Sequence, residues 1–221
     1  HADELPELDR LAGDGDLGIS LSRGFKALAA RLPSIAFDTP ATALKQMGFL
    51  LREHLGGSSG PLYGIFCLQA AAALPLDAPG SQLTAQQWAA ALQAGADAIS
   101  TLGGAKRGDR TMVRSAPYAP AAINALNGRL TDRLNLLVLD SLLPTLEEFT
   151  RQAQQQQSSS GQALDLAHVA HVATQSADGT KGMFPRKGRA AYLGERASEH
   201  RDGGAVAVAL IVESICRNLA Q

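Results

Sequence analysis

The densest group of chemically capable residues lies near the start of the chain, where Asp9, Asp14 and Asp16 are interleaved with Gly13, Gly15 and Gly18. Carboxylates at i, i+5 and i+7 on a glycine-rich turn can converge on one point, because glycine permits the tight backbone this needs. Three converging anions repel, and one of them would hold a proton near neutral pH unless a cation joined them. Oxygen donors without His or Cys suit Mg2+, which gives up water reluctantly and commonly shares its shell with phosphate. The chemistry implied is the handling of a phosphorylated molecule, a nucleotide being the natural choice. The plainer alternative is a solvated acidic turn with an Asp at a helix N-cap.

Three more glycine-rich segments carry polar groups. Gly56-Gly57-Ser58-Ser59-Gly60 stands where a helix should begin, and unpaired N–H groups, two hydroxyls and the positive end of a helix dipole would attract an anion there. A serine capping that helix with no anion bound is the bland reading. Gly103 to Met112 mixes glycines with Lys106, Arg107, Arg110 and Asp109. Arg186 to Gly204 supplies guanidinium groups suited to phosphate, and Asp202 as N-cap of a final helix. Read as bare composition, these last two are ordinary solvated loops.

Two literal motif matches fail on context. Gly13, Gly15 and Gly18 satisfy G-x-G-x-x-G, but no strand precedes them, and Asp14 and Asp16 would repel a pyrophosphate. Gly56 to Gly60 satisfies G-x-S-x-G, but a nucleophile elbow needs a strand before its serine and a helix stands there. A phosphate-binding loop of the form G-x-x-x-x-G-K-[ST] does not occur. His168 and His171 share a helical face without a third soft ligand near in sequence, which gives zinc little support.

Elements must hold these loops, and the sequence predicts helices alone. Alanine and leucine are abundant, while β-branched and aromatic residues are scarce. Thr39-Pro40 caps and starts a helix carrying Ala43, Leu44, Met47, Leu51 and Leu55, with Gly56 as its left-handed stop. Thr84 and Gln87 form a capping box ahead of Trp88, Leu92, Ala96 and Ile99, and Gly103-Gly104 ends that helix. A third begins at Thr131 and runs through Leu146, with a bend expected at Pro144. Helices also fit 20–32, 61–74, 109–126, 164–175 and 204–219, and 154–160 reads as a fraying end entering a polar loop. Short connections then require antiparallel neighbours in an up-and-down bundle or closed helical barrel, forming one domain over 1–221.

The 221 residues carry 20 basic and 21 acidic side chains, a net charge of -1, which gives no general attraction for nucleic acid. Cys67 and Cys216 lie in apolar stretches and read as buried thiols of a reducing compartment. No apolar run spans a membrane and no signal peptide is visible, so a soluble, cytoplasmic protein is expected. The chain opens on His1 rather than Met, which fits a leader removed by processing or trimming.

Taken together, Asp9-x4-Asp14-Gly-Asp16-x-Gly18, Gly56-Gly-Ser-Ser-Gly-Pro-Leu-Tyr63, Gly108-Asp-Arg-Thr-Met112 and Lys187-Gly-Arg-Ala-Ala-Tyr-Leu-Gly-Glu-Arg196 resemble the nucleotide-binding L subunit or domain of dihydroxyacetone kinases, in order and across nearly the whole chain. The resemblance implies eight antiparallel amphipathic helices in a closed barrel, with ADP or ATP and two Mg2+ in the loops at one end. It assigns the metal ions to Asp9, Asp14 and Asp16. It lines the phosphates with Leu17, Gly18, Ile19, Ser20, Gly57, Ser58, Ser59 and Gly60, and borders the nucleotide with Gly103, Met112, Arg189, Asp202, Gly203 and Gly204. The sugar of such kinases sits on a separate K subunit or domain, so the chain is expected to need that partner, with a phosphotransferase-system protein as one source of phosphoryl groups. A homodimer is left open. A kinase of another small substrate, and a non-catalytic module binding nucleotide or lipid, are the rival readings. The sequence departs from the family's pattern at Leu17, where His or Thr is usual, at Gly203, where Pro is usual, and at Arg114. It also starts close to Asp9, so much of the leading helix is expected to be missing.

Overall fold

The structure, a computed structural model, describes residues 4–12, 15–57, 59–103, 139–158, 163–185 and 193–220. Its described elements are helices: α1 (Glu4–Ala12), α2 (Leu17–Arg31), α3 (Pro40–His54), α4 (Ser59–Ala72), α5 (Ala85–Gly103), α6 (Leu139–Ser158), α7 (Leu166–Asp178), the short α8 (Glu195–Ser198) and α9 (Gly203–Leu219), with single 3-10 turns at Leu32–Ser34 and Gly80–Gln82. The predicted helix over 109–126 and the start of the third helix at 131–138 lie outside the described residues.

Local signals explain where the helices start. The Thr39 hydroxyl accepts from Thr42 N at 3.2 Å and Pro40 occupies the first turn of α3. The capping box of α5 is reciprocal: Thr84 N donates to Gln87 Oε1 at 2.8 Å and Gln87 N donates to Thr84 Oγ1 at 3.2 Å. Asp165 Oδ1 accepts from His168 N at the start of α7. The end of α3 differs from expectation. Leu55 turns the chain in an extended conformation and the left-handed residue is Gly57, with φ of 60°, rather than Gly56. α6 continues through Pro144 and is helical to Ser158, so 154–158 of the fraying end expected over 154–160 are helix, and 159–160 lie outside the described residues.

Sequential helices pack side by side, and α9 returns to contact α1, so α1 to α7 and α9 form a closed ring. The nine described residues of α1 contact both α2 and α9, so the ring is closed among the described residues. The neighbours are antiparallel. Gly48 of α3 faces Gly64 and Cys67 of α4, while Arg52 of α3 faces Gly64 from further along the chain. Gly95 of α5 lies against Phe66, and Gln152 of α6 bonds Asp165 while Ser141 donates to Ala173 O.

Small residues make this closeness possible. Ala70, Ala91, Ala96, Ala173 and Ala205 have no exposed surface, and a Cβ on Gly64 would stand 2.8 Å from Arg52 Cβ and 3.1 Å from Gly48 O. Larger side chains fill the interior: Leu21, Leu28, Leu51 and Val206 form one cluster, Leu62, Ile99, Leu142 and Val208 another, and Tyr63, Phe66 and Val212 touch both. α4 is apolar around most of its circumference, as befits a helix packed on several sides. Burial raises the Tyr63 phenol and pushes the Cys67 thiol up to about 12, so both stay neutral in the core. Cys67 and Cys216 are buried free thiols. No described helix is long and apolar enough to cross a membrane.

The α6–α7 contact carries a charged clip. Arg151 donates to both carboxylate oxygens of Glu148, at 2.7 and 2.5 Å, Gln152 Nε2 donates to Glu148 Oε1 at 2.8 Å, and His168 Nε2 of α7 lies 3.6 Å from that oxygen. The Arg151 hydrogen bond is the main reason the Glu148 carboxyl is held down to about 2; burial opposes it, and Gln152 and the nearby positive charges assist.

Three outcomes are expected in denaturant unfolding. Thr84→Ala loses about 1 kcal/mol with the α5 cap. Gly64→Val loses about 1–3 kcal/mol by forcing α3 and α4 apart. Because the folded Glu148 carboxyl titrates below its ordinary 4.5, its contribution is complete above that pH and disappears as pH falls toward about 2. Glu148→Gln should flatten stability across that acid window and leave its slope above pH 5 unchanged.

Candidate functional site

Because α1 runs to one end of the ring and each neighbour reverses direction, the described ends of α1, α3 and α7 and the starts of α2, α4 and α9 lie at the same end. The residues of the glycine-rich segments at 104–138 and 186–192 lie outside the described residues. Two contacts fix the arrangement of the described ends. A Cβ at Gly203 of α9 would stand 3.4 Å from Leu17 Cδ2 and 3.5 Å from Asp9 N, joining the last helix to the first turn. A Cβ at Gly56 would clash with Arg23 Nη2 and lie 3.0 Å from Ser20 Oγ, joining the α3–α4 turn to α2. The Gly95–Phe66 contact, carried seven residues along each antiparallel helix, brings the end of α5 at Leu102 and Gly103 beside Ser59.

At the start of α2 the chain is pinned from α1. Leu17 N donates to Asp9 Oδ2 at 3.0 Å, so a carboxylate eight residues earlier satisfies one of the helix's four unpaired N–H groups. Asp9 is half-buried. Asp16 occupies the N-cap position, yet its side chain caps nothing and is exposed, and its carbonyl accepts from Ser20 N at 2.8 Å. Gly15 turns the chain between them with φ of 77°. Gly18 allows α1 close, since a Cβ there would lie 2.6 Å from the Pro6 ring. Ser20 is buried, whereas Ile19 is 65% exposed. Asp14 lies outside the described residues, so the expected trio is represented by Asp9 and Asp16. Among the described residues no group of three His, Cys, Asp or Glu side chains is arranged to hold a metal, and this includes His168 and His171.

Leu17 and Gly203, two of the three departures noted in sequence, are neighbours. The Leu17 side chain packs with the main core cluster, and a Cβ at Gly203 would stand in ordinary contact with it. The start of α9 is buried and cross-linked: Asp202 Oδ1 accepts from Ala205 N at 2.9 Å, and Asp202 N donates to Thr180 Oγ1 at 2.8 Å. Thr180 is 1% exposed and donates to Ala177 O. Gly203 and Gly204 are buried in the first turn, and Ser59 and Gly60 are buried at the start of α4. Gly57 is exposed and left-handed. Ser58, Met112 and Arg189 lie outside the described residues.

Sequence reasoning did not single out Pro6, Arg23 or Thr180. Their contributions are contacts between elements, which no local spacing announces; Thr180 stands in a plain turn and Arg23 on a helix face. The arrangement joins two half-built anion binders. The first turn of α2 presents Gly18 and Ile19 N–H groups that Asp16 leaves uncapped, and the start of α4 points its dipole to the same end. Asp9 and Asp16 supply hard oxygen donors beside them, which matches what a phosphate–Mg2+ pair requires.

The DAK2 domain family matches residues 11–137 and 137–217 of the chain. The ADP-binding subunit DhaL of the PEP-dependent dihydroxyacetone kinase of Escherichia coli K12 is 33% identical over 215 residues, 97% of this chain and 87% of that subunit. Triokinase/FMN cyclase of Mus musculus is 36% identical over 218 residues, 96% of this chain but 31% of that protein. The dihydroxyacetone kinase of C. freundii in complex with AMP-PNP and Mg2+ shares the fold, with a TM-score of 0.63 at 23% identity over 98% of this chain and 30% of the other. With the matched stretches spanning most of its length, the chain belongs to the DAK2 domain family.

Proposed function

We propose that this chain is the nucleotide-binding component of a dihydroxyacetone kinase, carrying ADP or ATP with two Mg2+ at the glycine-rich end of its helical ring. The observation that carries the reading is the junction of Asp9, Leu17 and Gly203, which sets the first turn of α2 against the first turn of α9. Gly18 to Ser20 and Gly57 to Gly60 are the proposed phosphate-lining backbone, since helix N-termini favour anions without a dedicated cation. Asp9, Asp14 and Asp16 are the proposed metal ligands. Asp9 is already oriented by Leu17 N, so it needs little reordering to bind. Gly103, Met112, Arg189 and Asp202 to Gly204 are the proposed border of the nucleotide, with Asp202 acting through the cap it gives α9.

Bound Mg2+ in such a site supplies charge neutralisation for phosphate oxygens. The chain's own contribution is preorganisation: N–H groups and carboxylates held on rigid helix ends, aimed where phosphoryl charge develops, without reorganisation during transfer. Relatives are named as ADP-binding subunits of dihydroxyacetone kinases, so the acceptor is proposed to be held by a K-type partner. Relatives named as ADP-binding subunits of PEP-dependent kinases, matched over 87% and 86% of their lengths, support the version in which ADP stays bound and is rephosphorylated in place by a phosphotransferase-system protein. The reduced, buried thiols suit a cytoplasmic setting for this exchange.

Isothermal titration of ADP is the direct test. Binding should require Mg2+, and Asp9→Asn and Asp14→Ala should each weaken it by at least about tenfold, or 1.4 kcal/mol. Equal affinity with and without Mg2+, and in both variants, would remove the basis of the reading. Phosphoryl transfer to dihydroxyacetone should appear only when a K-type subunit is added, and activity of this chain alone would contradict the division of labour. Loss of ADP within seconds of dilution would favour free ATP exchange over a resident cofactor.

A further inference from the structure

We propose that Arg23 is a positioning residue, which grips the α3–α4 turn so that its backbone faces the first turn of α2; the proposal rests on the nucleotide reading above. Three residues of α2 on one face, Ser20, Arg23 and Gly24, meet that turn. Arg23 Nε donates to His54 O at 3.0 Å. His54 ends α3, so this carbonyl is one of those the helix cannot satisfy itself, and the cation also meets the negative end of the α3 dipole. The other end of the guanidinium lies against Gly56, where any Cβ would strike Nη2. Gly24 leaves room for the buried Leu55 side chain, since a Cβ there would overlap Leu55 Cδ2 and lie 2.6 Å from its Cγ.

The turn is thus held at three consecutive residues: His54 by its carbonyl, Leu55 by its side chain and Gly56 by contact with Arg23 and Ser20. Beyond it, Gly57 is left-handed and open, with nothing within 4 Å of a Cβ. The start of α4 is braced on α3, since a Cβ at Gly60 would lie 2.7 Å from Leu55 O, so the grip on His54 to Gly56 sets where this braced turn stands relative to α2. Arg23 is exposed, so its loss removes little buried surface. The effect should fall on the geometry of the turn and hence on affinity, more than on global stability.

The test uses the full-length chain with Arg23→Ala, Arg23→Lys, Gly56→Ala and the Arg23→Ala/Gly56→Ala pair. Amide hydrogen exchange over 55–60 and Mg2+-dependent ADP affinity are measured alongside the melting midpoint. Arg23→Ala should speed exchange over 55–60 and weaken ADP about tenfold while the midpoint moves by roughly 2 °C or less, as for an ordinary surface substitution. Arg23→Lys, which keeps a cation at the end of α3, should recover part of both losses. Gly56→Ala should weaken ADP modestly in the wild-type background, because the exposed guanidinium must swing aside and give up His54 O, and less when Arg23 is already Ala. Unchanged exchange in Arg23→Ala, or full additivity of the pair, overturns the proposal. If the wild-type chain fails to bind ADP while Arg23→Ala still loosens 55–60, the nucleotide reading falls and with it the positioning role, leaving a grip on the turn alone.

Discussion

The arrangement depends on a constraint of parity. In a ring of antiparallel neighbours, successive helix starts alternate between the two ends, so the starts of α2, α4 and α9 share one end with the described aspartates Asp9, Asp16 and Asp202 and with Gly56 and Gly57. The same rule points the N-termini of α2, α4 and α9 toward that end, so their dipoles reinforce one another there instead of cancelling. A positive potential is thereby built from backbone, in a chain whose formal charge is -1.

Close packing makes that potential specific. Alanines with no exposed surface and the Gly48–Gly64 contact bring helix axes near enough for one helix end to brace the next. Asp9 illustrates the result. It belongs to α1 but closes the first N–H of α2, while its own backbone backs against Gly203 of α9. One side chain thus couples three helices, and a group held that firmly loses little freedom on meeting a cation. Asp202 plays the corresponding part at the far side, capping α9 while its N–H is held by Thr180 of the preceding turn.

Much of this is legible in the sequence because it is local. The Thr39 cap, the Thr84–Gln87 box and the Asp202 cap each occupy a few residues and form as their spacing requires. The helical class follows from composition and period. What is not legible is relational. The sequence assigns the left-handed stop of α3 to Gly56, yet Gly57 takes that conformation and Gly56 serves as the bare surface under Arg23, a role set by a helix thirty residues earlier. Likewise Leu17 and Gly203 read as two separate departures from a family pattern, and only the closed ring makes them neighbours. Pro6 against Gly18 is the same kind of fact. Closure by α1 is relational too, since it rests on Pro6 meeting Gly18 of α2 and on Asp9 standing beside Gly203 of α9.

The central claim is that one end of the ring receives a magnesium nucleotide through several helix starts at once. Amide chemical-shift mapping of the labelled full chain on adding Mg·ADP tests it most directly. The account predicts that residues 15–20, 56–60 and 202–205 shift together, while the connections at the opposite end, 32–38 and 74–83, stay where they were. Shifts concentrated at 32–38 and 74–83, with 15–20 and 202–205 unmoved, would contradict it.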